Sequence, residues 1–176
     1  MAIKRKNNLV FLTGYMGAGK STIGKKLALH LGWRFTDTDK ALEKFFRKKM
    51  SDIFKELGET AFREEEERLI EKLTTKTNYV VSTGGGTLTR TETFYTAQRM
   101  GLLVYLKAPV EVLFERAVFS QKDRPLINVP DAEEKFKKRF AIREPYYNRA
   151  DYIVETTDRA SEEVVEDITA WLQQQV

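Results

Sequence analysis

The sequence predicts a single α/β domain, a parallel sheet covered by helices. Three observations carry this. Short apolar runs alternate with helical segments along all 176 residues. A glycine loop sits between the first apolar run and the first helical segment. A second glycine run follows the third apolar run. Apolar residues make up 41% of the chain, enough for one core.

The first strand is expected at Leu9–Thr13, an apolar, β-prone run. It leads into Gly14-Tyr15-Met16-Gly17-Ala18-Gly19-Lys20-Ser21, which fits G-x-x-x-x-G-K-[ST] at every fixed position. Ser21 to Leu31 then reads as a helix, with Ile23, Leu27 and Leu31 at helical spacing. A strand, a glycine loop and a helix build a polyphosphate site from backbone N–H groups and a helix N-terminus. Lys20 can reach the β- and γ-phosphates, the Ser21 hydroxyl can ligate Mg²⁺, and Thr22 can hold a phosphate nearer the nucleoside. The chain is therefore expected to bind a nucleoside triphosphate with Mg²⁺.

The second strand is expected at Trp33–Thr36, ahead of Asp37-Thr38-Asp39. Ligands of open α/β sheets sit beyond the carboxyl ends of strands. On an extended backbone Asp37 and Asp39 point opposite ways, one toward Mg²⁺ and one toward a bound hydroxyl. The bland alternative is that one of them caps a helix starting near Lys40. Ser51 to Leu57 reads as a short helix ended by Gly58, and Glu59 to Leu73 as another. The third strand, Tyr79–Ser82, runs through Thr83 into Gly84-Gly85-Gly86, a composition expected where a ligand approaches the backbone closely. Gly101 precedes the fourth strand, Leu102–Leu106, and Tyr152–Val154 is the fifth. A helix from Glu162 to Gln174 follows it. The polar stretch from Ser120 to Pro130 contains Arg124 and reads as a lid.

Composition excludes several classes. There is no cysteine, hence no disulfide framework or thiol nucleophile, which fits a cytoplasmic protein. No apolar run is long enough for a membrane span, and the basic N-terminus lacks the apolar segment of a signal peptide. The net charge of +4 is spread over interspersed signs, so nucleic acid is not expected as a partner. The lone histidine, His30, reads as a solvated helix-end residue.

Taken together, Gly14–Ser21, Asp37-Thr38-Asp39, Phe62-Arg63, Gly84-Gly85-Gly86, Arg124-Pro125-Leu126 and Arg143 resemble the shikimate kinase family in order and spacing, over roughly residues 8 to 170. The resemblance implies a three-layer P-loop NTPase fold of the nucleoside-monophosphate-kinase kind, with five parallel strands ordered 2-3-1-4-5. It implies one kinase domain over 1–176, with a substrate-binding helical segment at about 37–73 and a lid at about 119–131. Asp39, Arg63, Gly85, Gly86 and Arg143 match positions that hold shikimate. The two arginines would grip its carboxylate, and Asp39 could accept the proton of its 3-hydroxyl. Ser21 and Asp37 match the Mg²⁺ site. Gly17, Ala18, Gly19, Lys20, Ser21 and Thr22 match the nucleotide loop. Lys20, Asp39 and Arg124 would be the catalytic set, Arg124 contacting the transferring phosphate. Many family members carry an adenine-packing arginine seven residues before Arg124. Here that position is Ala117, so Arg116 is the expected adenine contact, with Arg159 second. The implied enzyme is a monomer acting on a small molecule. A kinase for another hydroxy acid such as gluconate, and a non-catalytic nucleotide-binding module, remain as alternatives.

Overall fold

The structure is a computed structural model and describes residues 8–120 and 131–175. Five parallel strands form one sheet in the order β2-β3-β1-β4-β5, the expected order. They are β1 (Leu9–Thr13), β2 (Arg34–Asp37), β3 (Tyr79–Ser82), β4 (Leu102–Lys107) and β5 (Tyr152–Glu155). The helices are α1 (Lys20–Leu31), α2 (Thr38–Phe46), α3 (Met50–Thr74), α4 (Thr91–Met100), α5 (Val110–Phe119), α6 (Ala132–Tyr147) and α7 (Ser161–Gln173).

Strand β1 lies at the centre and is buried on both faces, which is why it reads as an uninterrupted apolar run. Its side chains alternate between two cores. Val10 and Leu12 pack with Leu27 of α1 and with Val164 and Ile168 of α7. Leu9 and Phe11 pack with Ile70 of α3 and with Phe94 and Ala97 of α4. Helices on both faces of a sheet give the three expected layers. A smaller cluster of Leu42, Ile53 and Phe62 fastens α2 to α3. Helix α3 is broken at Gly58, whose φ of 81° and ψ of 169° are not helical, so the expected pair of helices is present.

The strand registers bring the chemistry to one edge. Leu12 pairs with Ser82, and Ser82 with Asp37. The P-loop after β1, the start of α2 after β2 and the glycine run after β3 therefore leave the sheet side by side. No helix among the described residues is long and apolar enough to cross a membrane. Of the expected lid, residues 121–130 lie outside the described residues, and Arg124 with them.

Candidate active site

The P-loop is held open by its glycines. Gly14, Gly17 and Gly19 have φ of 140°, 87° and 85°, a region where side chains with a Cβ are strained. Gly19 leads directly into α1, and no side chain caps that helix among the described residues. Its first N–H groups are thus available to an anion. Ser21 and Thr22 occupy the first turn of α1. Lys20 folds back across the loop, Nζ donating to the carbonyls of Gly14 at 2.7 Å and Tyr15 at 3.0 Å.

Ser21 Oγ donates to Asp37 Oδ2 at 2.5 Å, so the two residues expected at a Mg²⁺ site do meet. A hydroxyl beside a carboxylate is a hard-oxygen pair. Mg²⁺ is usually bound by one or two such groups, with waters and substrate phosphates completing its shell. The described residues contain no cluster of three or more His, Cys, Asp and Glu side chains placed for a metal. That sparse donor set fits Mg²⁺ carried on a nucleotide better than a cage made wholly of protein.

The expectation of an extended Asp37-Thr38-Asp39 segment needs correcting. Helix α2 starts at Thr38, not near Lys40, and Asp37 is its cap, Oδ1 accepting from the Lys40 N–H at 3.2 Å. Asp37 and Asp39 are separated by the turn into a helix rather than by strand alternation. Thr38 is buried, and its hydroxyl accepts from the Gly84 N–H at 2.9 Å, tying this turn to the glycine run. Asp39, in the first turn, faces the same run. One of its carboxylate oxygens lies 2.6 Å from the point that a Cβ on Gly84 would occupy. Asp39 remains exposed to solvent, although protein atoms crowd around its carboxylate. That desolvation, followed by the charge of Asp37, raises its pKa to about 6, with Lys20 pulling the other way.

Farther along the run two arginines converge. A Cβ on Gly85 would lie 3.5 Å from Nη1 of Arg143, and one on Gly86 within 3.3 Å of both Arg63 and Arg143. Arg63 reaches the run from α3 and Arg143 from α6. Arg63 is already paired, Nη1 donating to Glu66 at 2.7 Å. Glu66 is 1% exposed, and its other oxygen accepts from the buried Thr87 hydroxyl at 2.5 Å. No carboxylate among the described residues forms an ion pair with Arg143, whose guanidinium sits over the Tyr15 ring, 5.8 Å from its centroid. Arg63 also pairs with the exposed Glu59 at 3.3 Å. Of the two guanidinium groups it is Arg143 whose charge has no ionic partner among the described residues, and a ligand carboxylate would match it.

Arg116 and Arg159 are placed near one another but used differently. Arg116 donates to the Thr156 hydroxyl at 3.1 Å and to its carbonyl at 2.9 Å, gripping the loop after β5. Arg159, on that same loop, donates to Asp167 at 2.9 Å and to the carbonyls of Glu155 and Glu163. Ala117 is buried at 1% exposure, so a long cation there would point into the core. The one-residue offset to Arg116 is what lets an arginine reach the loop.

Glu66, Thr87 and Tyr147 were not among the expected site residues. A glutamate in the run Glu64 to Glu67 reads as a solvated helix face. Only its position three residues after Arg63 hinted at a pair.

Comparison with known proteins agrees with this geometry. The shikimate kinase family model matches residues 16–173. The chain is similar to the shikimate kinase of Caldanaerobacter subterraneus subsp. tengcongensis, 38% identical over 90% of this chain and 92% of the relative. It is also similar to that of Persephonella marina, 40% identical over 90% of this chain and 95% of the relative. Among solved structures, a shikimate kinase from Acinetobacter baumannii in complex with shikimate superposes with a TM-score of 0.89 at 33% identity. That match covers 97% of this chain and 95% of the other.

Proposed function

This chain belongs to the shikimate kinase family, and from that premise we propose that its cleft transfers the γ-phosphoryl group of ATP to the 3-hydroxyl of shikimate. One observation carries the assignment to particular residues. A P-loop and a pocket of two guanidinium groups open on the same glycine run, and Asp39 interacts electrostatically with both ends, with Lys20 and with Glu66.

Phosphoryl transfer asks a protein mainly for positioning and for stabilisation of charge. The backbone of Gly17, Ala18 and Gly19 and the N-terminus of α1 bind the polyphosphate, Thr22 standing at the nucleoside side. Lys20 neutralises charge on the phosphate chain. Ser21 and Asp37 would hold Mg²⁺, which when bound spreads the charge of the β- and γ-phosphates. Arg63 and Arg143 clamp the substrate carboxylate, and Gly85 and Gly86 let the ring lie against the backbone. Asp39 orients the acceptor hydroxyl and takes its proton, a task suited to a carboxylate whose pKa has been raised toward neutrality. Arg116 lines the adenine side, with Arg159 behind it. Arg124 lies outside the described residues, and its contact with the transferring phosphoryl group rests on the sequence resemblance. The reading includes a monomeric, cytoplasmic enzyme whose partners are small molecules.

The test is ADP release by the purified chain with ATP and Mg²⁺, offered shikimate, quinate, gluconate and AMP in turn. Turnover is expected with shikimate and little with the others. Comparable turnover on gluconate would overturn the substrate assignment. ATP binding with no acceptor phosphorylated would leave a non-catalytic nucleotide-binding module.

A further inference from the structure

Tyr147 ends α6, one helical turn after Arg143, so the two side chains share a face. It is 1% exposed. Its ring packs on Tyr105 of β4 with centroids 5.3 Å apart. Its hydroxyl donates to the Gly85 carbonyl at 2.6 Å, across 62 residues of sequence. The same hydroxyl and Nη1 of Arg143 flank one point, 3.7 and 3.5 Å from where a Cβ on Gly85 would sit. A buried phenol needs a partner for its O–H. Here that partner is the glycine run against which the substrate is proposed to lie. Burial raises the Tyr147 pKa, with the Arg143 guanidinium opposing the rise.

We infer that the Tyr147 hydroxyl is a positioning group for substrate binding. By holding the Gly85 carbonyl it locks the glycine run and the end of α6 together, and so aims Arg143 at the substrate carboxylate. A glycine run has little stiffness of its own, because each residue has wide backbone freedom. Its shape must be imposed from outside, and the Thr38 hydroxyl does this at Gly84 as Tyr147 does at Gly85. The inference rests on the proposed role of Arg143 as a carboxylate ligand.

The test is Tyr147→Phe, which keeps the ring against Tyr105 and removes only the hydroxyl. The KM for shikimate should rise about tenfold, the scale of one hydrogen bond at a charged site. The KM for ATP and kcat should stay within about twofold, because the nucleotide and the reacting atoms are not touched. In an Arg143→Leu background the same substitution should change the shikimate KM by less than about twofold, since the group it aims is gone. A wild-type shikimate KM in Tyr147→Phe, or effects of the two substitutions that simply multiply, would overturn the inference while leaving the clamp intact. So would a lowered Tm and reduced kcat with unchanged KM, the pattern of a purely structural residue. If instead Arg143→Leu alone leaves shikimate KM unchanged, it is the proposed clamp that fails.

Discussion

Nη2 of Arg63 and Nη2 of Arg143 lie 2.9 and 3.3 Å from the single point that a Cβ on Gly86 would occupy. One guanidinium comes from α3 and the other from α6, on elements far apart in the chain. Gly86 itself has φ of −106° and ψ of −9°, which any residue can adopt. Its lack of a side chain is therefore a matter of space for the two cations rather than of backbone freedom.

Gly86→Ala should fold normally and bind substrate poorly. The backbone accepts alanine, and the nearest atoms that the methyl group meets are the guanidinium ends of two arginines. Displacing both should raise the KM for shikimate at least about tenfold, a loss of about 1.4 kcal/mol or more, with ATP binding intact. Isothermal titration with shikimate and with ADP separates the two. Wild-type shikimate affinity in the variant would show that the guanidinium groups do not act at this point.

Glu66→Gln should weaken the clamp from behind. The amide keeps the bond to Thr87 but loses the charge that pairs with Arg63. The pair is buried on the Glu66 side, and removing its carboxylate leaves Arg63 with the solvent-exposed Glu59 as its ionic partner. Breaking such a pair costs about 3 kcal/mol or more in the most buried cases. The expected outcome is a lower Tm together with a higher shikimate KM. A lower Tm with unchanged KM would reduce Glu66 to a fold-stabilising residue.

Asp39 sets a pH limb. In kcat/KM for shikimate, activity should rise with pH through a midpoint near the Asp39 pKa of about 6, because the base must be ionised. The stability effect has the opposite sense. An aspartate with an unfolded pKa of about 3.9 that rises on folding binds its proton more tightly when folded. Its contribution is full below the unfolded pKa and is lost as pH climbs through the folded one. Asp39→Asn should therefore lose the acid limb and most of kcat. Because the residue is exposed and solvent screens the effect, the variant should melt only slightly higher than wild type at pH 8, and equally at pH 3. Thermal melts across that range check the sign, and a variant less stable at pH 8 would contradict the desolvated environment.

Lys20→Ala should lose turnover without losing the fold. The side chain reaches loop carbonyls rather than the core, so circular dichroism should be unchanged. The rate should fall at least about a hundredfold, on the scale of one lost electrostatic stabiliser. A wild-type rate with shikimate would remove the P-loop from the mechanism.

The sequence by itself determined the features whose chemistry is contiguous. The P-loop is a strand, a run of glycines and a helix start within one short stretch, and each part has a local physical reason to form. The three inner strands were legible for the same reason. Leu9–Thr13 is buried on both faces, and Tyr79–Ser82 and Leu102–Lys107 are nearly so, making their apolar runs stand out between helical segments. The sheet order and the residue roles came from the combination of motifs, not from any single one. Tertiary structure alone decided how those motifs meet. Asp37 ends β2 and caps α2, which starts at Thr38 rather than near Lys40, and that put Asp39 on a helix rather than on extended chain. Glu66 and Tyr147 were not singled out from the sequence. Their partners, Thr87 and Gly85, lie 21 and 62 residues away in sequence. Hydrophobic periodicity reports which way a side chain faces, whereas a buried hydrogen bond depends on which element arrives opposite it, and only packing of the whole sheet settles that.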